Sequence, residues 1–281
     1  MKKIITLITL LVITTALTAS AQNCCVKKGQ DMRALALNPA FKASHLPPLP
    51  FKFDSDKGSM ISFECLDSKK GNAYYVPSDE PTTKVLVIFH EWWGLNDYIK
   101  REAVRWQALL GNVDVYAVDL YDGQVTDDPD VAAKLAGGLD PKRGDAIVKG
   151  VLSKVGKDKL VGTVGWCFGG SWSFTAAMFA TNQASGCVMY YGVPEKDPKR
   201  VAKLKTDVLF IWGSQDKFIK KYDIDELGKQ VKATGHTFDL HVYDGAVHAF
   251  ANPSNPNYNS LYATQAQNIA VKFLKEKLAL D

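Results

Sequence analysis

Gly165-Trp166-Cys167-Phe168-Gly169-Gly170 stands between a short apolar run, Leu160-Val161-Gly162-Thr163-Val164, and a helix-like segment over 171–180. Strand, sharp glycine-flanked turn and helix, in that order, form the setting of a nucleophile elbow, here with cysteine where serine usually sits. The turn needs small neighbours, because the nucleophile is held in a strained conformation with other backbone packed against it. At a helix start the sulfur also feels the positive end of the peptide dipoles, which favours thiolate over thiol. The same six residues also fit a buried cysteine in a Gly-rich turn, so the rest of the chain has to decide.

Outward from this turn the chain alternates between strand-like and helix-like segments. Strand candidates are 61–66, 73–76, 85–90, 113–118, 160–165, 187–191, 208–212 and 238–243. The later ones are continuous apolar runs, as expected of parallel strands covered by helices on both faces. Over 98–110, Ile99, Ala103, Trp106 and Leu110 recur at spacings of four, three and four, and Gly111 follows as a stop. Asp140-Pro141 reads as the N-cap and first turn of a helix reaching Val155. Near the end, Ala266, Ile269, Ala270, Phe273 and Leu274 make an apolar face. The expected fold is α/β, a doubly wound, mostly parallel sheet with reactive groups on loops beyond the strand C-termini.

The first residues read as an export leader rather than as structure. Lys2 and Lys3 precede an apolar stretch over 4–16, and Ala19-Ser20-Ala21 suits cleavage near Ala21. The apolar stretch is too short and threonine-rich for a membrane anchor, so no stable membrane insertion of the mature protein is expected. Lipid attachment at Cys24 is a competing outcome, which Asn23 disfavours. The leader holds two lysines and no acid, so the formal charge of +4 falls to +2 on cleavage. Such a balance, without a dense Lys/Arg block, suggests neither a nucleic-acid partner nor an anionic membrane surface. Residues 22–58 read as an extension rather than a domain, lying across a single domain over 59–281, with the stretch His45-Leu46-Pro47-Pro48-Leu49-Pro50 in an extended conformation. That domain is long enough to bury a full α/β core.

Five cysteines in an exported chain invite disulfide accounting. A bond between the adjacent Cys24 and Cys25 would be strained, whereas either could reach Cys65. Cys187 reads as a small buried apolar residue, and Cys167 has to stay a free thiol if it is the nucleophile.

Two further groups fall at strand ends. Asp216 lies in the turn after 208–212, and His248 follows 238–243 within Gly245-Ala246-Val247-His248-Ala249-Phe250. Nucleophile, acid, histidine is the chain order of α/β-hydrolases. In that scheme His248 exchanges the thiol proton, while Asp216 fixes its tautomer and stabilises the imidazolium. His45, His236 and His241 lack ligand-like spacing, so no metal is expected. A fourth element, Phe89-His90-Glu91-Trp92-Trp93-Gly94, closes an earlier strand. Glu91 is either an ordinary solvent-facing acid or a group that contacts the thiol and shares its proton. The N–H groups of Trp92 and Phe168 are candidates for an oxyanion hole. Trp93 and Trp166, with Trp92, are candidates for walls of a substrate pocket.

On His90-Glu91-Trp92-Trp93-Gly94, the hexapeptide around Cys167, Asp216 and the stretch around His248, the chain resembles the dienelactone hydrolases over about residues 60–278. The resemblance implies a Cys167–His248–Asp216 triad, with Glu91 paired to the thiol until substrate releases it. It also implies cofactor-free hydrolysis of a small ester or enol-lactone. Family members acting on carboxylated dienelactones grip the carboxylate with arginines, one shortly after the catalytic histidine. Here that stretch reads Ala249-Phe250-Ala251-Asn252, and Asn252 cannot supply a bidentate cation. The reading is an acyl-cysteine hydrolase with Asn252 at the substrate. Two rival readings are a hydrolase-fold binding protein without turnover and a thiol redox protein.

Overall fold

The computed structural model describes residues 28–252, 254, 255 and 257–281. The leader, Cys24 and Cys25 lie outside the described residues. In chain order the elements are α1 (Lys28–Ala36), α2 (Pro39–Ala43), β1 (Ser59–Glu64), β2 (Lys70–Val76), β3 (Lys84–Phe89), α3 (Asp97–Leu110) and β4 (Asp114–Asp119). There follow α4 (Pro129–Gly138), α5 (Pro141–Val155), β5 (Leu160–Trp166), α6 (Phe168–Ala180), β6 (Ala184–Tyr190), α7 (Pro198–Val201), β7 (Val208–Gly213), α8 (Lys221–Ala233), β8 (Phe238–Tyr243) and α9 (Ser260–Leu278).

The eight strands form one sheet in the order β1-β2-β4-β3-β5-β6-β7-β8. β2 runs antiparallel to both of its neighbours, and from β4 to β8 every pairing is parallel. β3, β5 and β7 are buried along nearly their whole length, which explains why they read as unbroken apolar runs. Adjacent residues of β5 show both faces covered. A side chain on Gly162 would meet Leu274 and Leu278 of α9, whereas Thr163 donates its hydroxyl to the Ser173 carbonyl of α6. This is the α/β-hydrolase fold.

Helix starts follow the local chemistry. Asn96 accepts from the Ile99 N–H at the head of α3, and Asp140 accepts from the Lys142 N–H ahead of Pro141 in α5. Cys65 is buried and has no disulfide partner among the described residues, and Cys187 is fully buried in β6 beside Ser173.

The segment before β1 carries two helices, α1 and α2, ahead of its proline-rich part. Asn38 caps α2 by accepting from the N–H groups of Ala40 and Phe41, and Phe41 is wholly buried. Only the proline-rich part beyond it is extended. Leu49 accepts from the Tyr98 hydroxyl at 3.0 Å, and the Phe53 N–H donates to Asp97 at 3.1 Å. Lys42 pairs with Asp130 of α4. The segment crosses the C-terminal edge of the sheet, where the reactive groups lie.

Candidate active site

Cys167 follows β5 and opens α6 with φ 53° and ψ −116°, a conformation that strains any residue but glycine. Two glycines make the bend feasible. A Cβ on Gly165 would lie 2.1 Å from the Gly169 carbonyl oxygen, and one on Gly169 would lie 2.2 Å from that of Phe89. The Cys167 N–H donates to the Tyr190 carbonyl at 2.9 Å, so the β5–β6 ladder runs up to the nucleophile itself.

Asp216 is anchored before it meets the histidine. Its Oδ1 accepts from the N–H groups of Phe218 (2.8 Å) and Ile219 (3.0 Å), and its Oδ2 takes His248 Nδ1 at 2.7 Å. With Nδ1–H donated to the carboxylate, Nε2 carries the lone pair, and it lies 3.3 Å from Cys167 Sγ. Burial alone would raise the Asp216 carboxyl. The charge and hydrogen bond of His248, with the two backbone donors, outweigh it and hold the group below the usual range. The thiol moves the other way. Burial first, then the Glu91 carboxylate, push Cys167 well above its ordinary value, and the Phe168 N–H only partly opposes them. The expectation of a thiolate favoured by the helix start is therefore overturned. In this closed, dry setting desolvation outweighs the dipole.

Glu91 is buried and does not face solvent. Its carboxylate accepts from Asn252 Nδ2 and, at 3.5 Å, from the Tyr191 hydroxyl, while the thiol's side-chain partner is His248. The expected pairing of Glu91 with the thiol is thus replaced by an amide and a phenol. Burial pushes the Glu91 carboxyl up to about 8, against the lowering by those two donors. His90 braces the turn that carries it. The Leu120 N–H donates to His90 Nε2 at 3.1 Å, and Nδ1 contacts the Glu91 carbonyl at 2.5 Å.

Trp93, Trp166 and Asn252 line one cleft together with Glu91. Arg105 reaches the same cleft but stands 3.7 Å from the Glu102 carboxylate. Trp92 lies instead on the other side of the site. It is fully buried and packs against Phe41 and His45 with ring centroids 5.5 and 4.5 Å apart. Phe168 is the first residue of α6, directly after the nucleophile.

The N-terminal segment supplies groups that the sequence did not mark. Phe41 stands 5.5 Å from the His248 ring and 5.0 Å from Phe218, and His45 stands 5.3 Å from His248. Together they roof the nucleophile, leaving Cys167 4% exposed. Nothing in the spacing of residues 41, 45, 167 and 248 betrays this, because the contact depends on how a short helix docks. His45 donates from Nδ1 to the Phe41 carbonyl at 2.7 Å. Burial and the neighbouring His248 pull its pKa down to about 3, so the ring is neutral.

A cysteine on a strand-to-helix elbow, hydrogen-bonded through histidine to an aspartate at later strand ends, places the chain among the α/β-hydrolases. The model of the dienelactone hydrolase family matches residues 72–278. The chain belongs to that family. The carboxymethylenebutenolidase of Pseudomonas putida is 29% identical over 228 residues, covering 76% of this chain and 94% of its own. The protein named usf of Aquifex pyrophilus is 29% identical over 232 residues, 79% of this chain and 99% of its own. Among solved structures, a dienelactone hydrolase-like promiscuous phosphotriesterase from metagenomic libraries superimposes with a TM-score of 0.66 at 17% identity. It covers 80% of this chain and 100% of that one.

Proposed function

We propose that the protein hydrolyses a small uncharged ester or lactone through an acyl-cysteine intermediate, without a cofactor. The observation that carries this reading is the hydrogen-bonded run from Cys167 through His248 to Asp216, with separations of 3.3 and 2.7 Å. The thiol rests protonated, so His248 Nε2 takes its proton as sulfur attacks the carbonyl carbon. Asp216 steadies the imidazolium that forms. The Phe168 and Trp92 N–H groups bind the oxyanion. The imidazolium then protonates the departing alkoxide, leaving a thioester. Water attacks that thioester, gives a proton to His248, and the acid departs as the proton returns to sulfur.

Trp93, Trp166 and Asn252 hold the substrate along the cleft beside Glu91. A neutral amide in place of arginine, already committed to Glu91, favours substrates without a carboxylate. We further propose that the chain is exported and cleaved near Ala21, a reading supported by Lys2, Lys3 and the apolar stretch behind them. Mass spectrometry of the mature N-terminus tests that part.

The enzymatic reading is tested on a panel of uncharged esters, uncharged lactones and carboxylated lactones under reducing conditions. Turnover of the uncharged members is expected, with a loss of at least about a thousandfold in Cys167→Ala. Full turnover in Cys167→Ala would overturn the covalent route. A preference for carboxylated lactones would overturn the role given to Asn252.

A further inference from the structure

We propose that His45, Cys167 and His248 form a zinc site, whose occupation staples the N-terminal segment onto the nucleophile and silences it. The three side chains are buried, and a ring nitrogen of each histidine and the Cys167 sulfur lie within 4.8 Å of one another. His45 is 3% exposed, and its Nε2 has no hydrogen-bond partner among the described residues, a costly state for a buried nitrogen lone pair. The inference rests on this geometry and not on the hydrolase reading.

The surroundings suit a metal more than a spare imidazole. Metal-binding histidines almost always donate their other ring N–H to a carboxylate or a backbone carbonyl, which fixes the tautomer and the aim of the ring. Both histidines do so here. His45 Nδ1 contacts the Phe41 carbonyl at 2.7 Å, and His248 Nδ1 contacts Asp216 at 2.7 Å. That leaves Nε2 of each ring with the lone pair; the one on His248 lies 3.3 Å from the sulfur, and a ring nitrogen of His45 lies within 4.8 Å of it. Two neutral imidazoles and one thiolate suit zinc, with a fourth position left for water.

Tetrahedral zinc at about 2.0 Å from nitrogen and about 2.3 Å from sulfur spaces its ligand atoms roughly 3.3–3.8 Å apart. His248 and Cys167 already stand at 3.3 Å, so His45 has to close by about 1.5 Å at most. Binding replaces the S–H bond with a sulfur–zinc bond and releases the thiol proton to solvent. The nucleophile's electron pair and the base's lone pair are then both engaged.

The test uses the reduced, EDTA-treated chain carrying Cys24→Ser and Cys25→Ser, which removes two other thiols able to bind zinc. Calorimetric titration with zinc chloride should show one ion per chain, and cobalt(II) should give thiolate-to-metal charge-transfer absorption. Zinc should block alkylation of Cys167 by iodoacetamide, and EDTA should restore it. His45→Ala and the bulkier His45→Gln should each weaken zinc binding at least about tenfold, with unchanged far-UV dichroism. Absence of the cobalt–thiolate band, or binding by both His45 variants as tight as that of the parent, would overturn the site. These are binding readouts, so they stand apart from any failure to find a hydrolysed substrate.

Discussion

Glu91 shows how far one buried group can be driven from its ordinary chemistry. Its carboxyl has an amide and a phenol for partners and no cation, so burial wins and the pKa rises to about 8. Near neutral pH it is mostly the uncharged acid, so its opposition to negative charge on Cys167 sets in as pH rises toward that value. The same displacement has a cost with a definite sign. The unfolded chain loses this proton near the ordinary value of 4.5, whereas the folded chain keeps it until about 8. The stabilisation is therefore complete below the first value and is lost as pH rises through the second. Each unit of displacement is worth about 1.4 kcal/mol. Glu91→Gln keeps an acceptor for Asn252 and removes the titration. Its stability relative to the wild type should rise by several kcal/mol between about pH 5 and about pH 9, read as the difference in Tm at each pH. Parallel Tm curves for the two proteins would show that Glu91 does not titrate in this way.

At the scale of elements, the elbow works because β3, β5 and α6 approach one another more closely than side chains allow. A methyl group on Gly169 would sit 2.2 Å from the Phe89 oxygen and 2.4 Å from that of His90, both backbone atoms that cannot swing aside. Gly169→Ala should therefore push α6 from β3 and cut kcat at least about a hundredfold, since a shift of about 1 Å at a reacting atom costs that much. Unchanged kcat would show that the strands can yield. A second joint ties α5 to the loops flanking β2 and β4. Arg143 of α5 donates to both Asp67 oxygens at 3.1 Å and to the Lys70 carbonyl at 2.6 Å, and it also pairs with Asp122 beyond β4. Lysine cannot reproduce that fork, so Arg143→Lys should lower stability by about 2–3 kcal/mol in denaturant melts. The elbow was legible in the sequence because glycine spacing and an apolar run encode a local shape. All eight strands were legible for the same reason, through continuous apolar runs or alternation. The Arg143 joint was not, since its partners are 76 and 21 residues away and no periodicity links them. The partners of Glu91 escaped for a like reason. Asn252 was visible as a departure from the arginine pattern, but its pairing with Glu91 spans 161 residues.

At the scale of the whole molecule, the described part of the N-terminal segment closes the site that the rest of the chain builds. Phe41 is the wedge. It is fully buried, and its ring stands 5.5 Å from Trp92, 5.0 Å from Phe218 and 5.5 Å from His248. Around it stand α1, which packs on α4 with Met32 and Ala36 buried, a capped helix of five residues, an exposed ion pair from Lys42 to Asp130, and hydrogen bonds farther along at Leu49 and Phe53. An exposed ion pair contributes about 0–1 kcal/mol, whereas deleting a buried phenyl ring costs about 3–5 kcal/mol. The wedge therefore outweighs the ion pair where the segment covers the site, while α1 stays packed on α4 and the sheet keeps its own core beneath. Loss of the wedge should be felt first as local opening, not as global unfolding. In Phe41→Ala the 4% exposure of Cys167 should give way to open access, and alkylation by iodoacetamide should quicken at least about tenfold. The main melting transition should fall by less than the full cost of a core phenylalanine. An unchanged alkylation rate would mean that substrate reaches the thiol by another route and that the segment is part of the permanent wall.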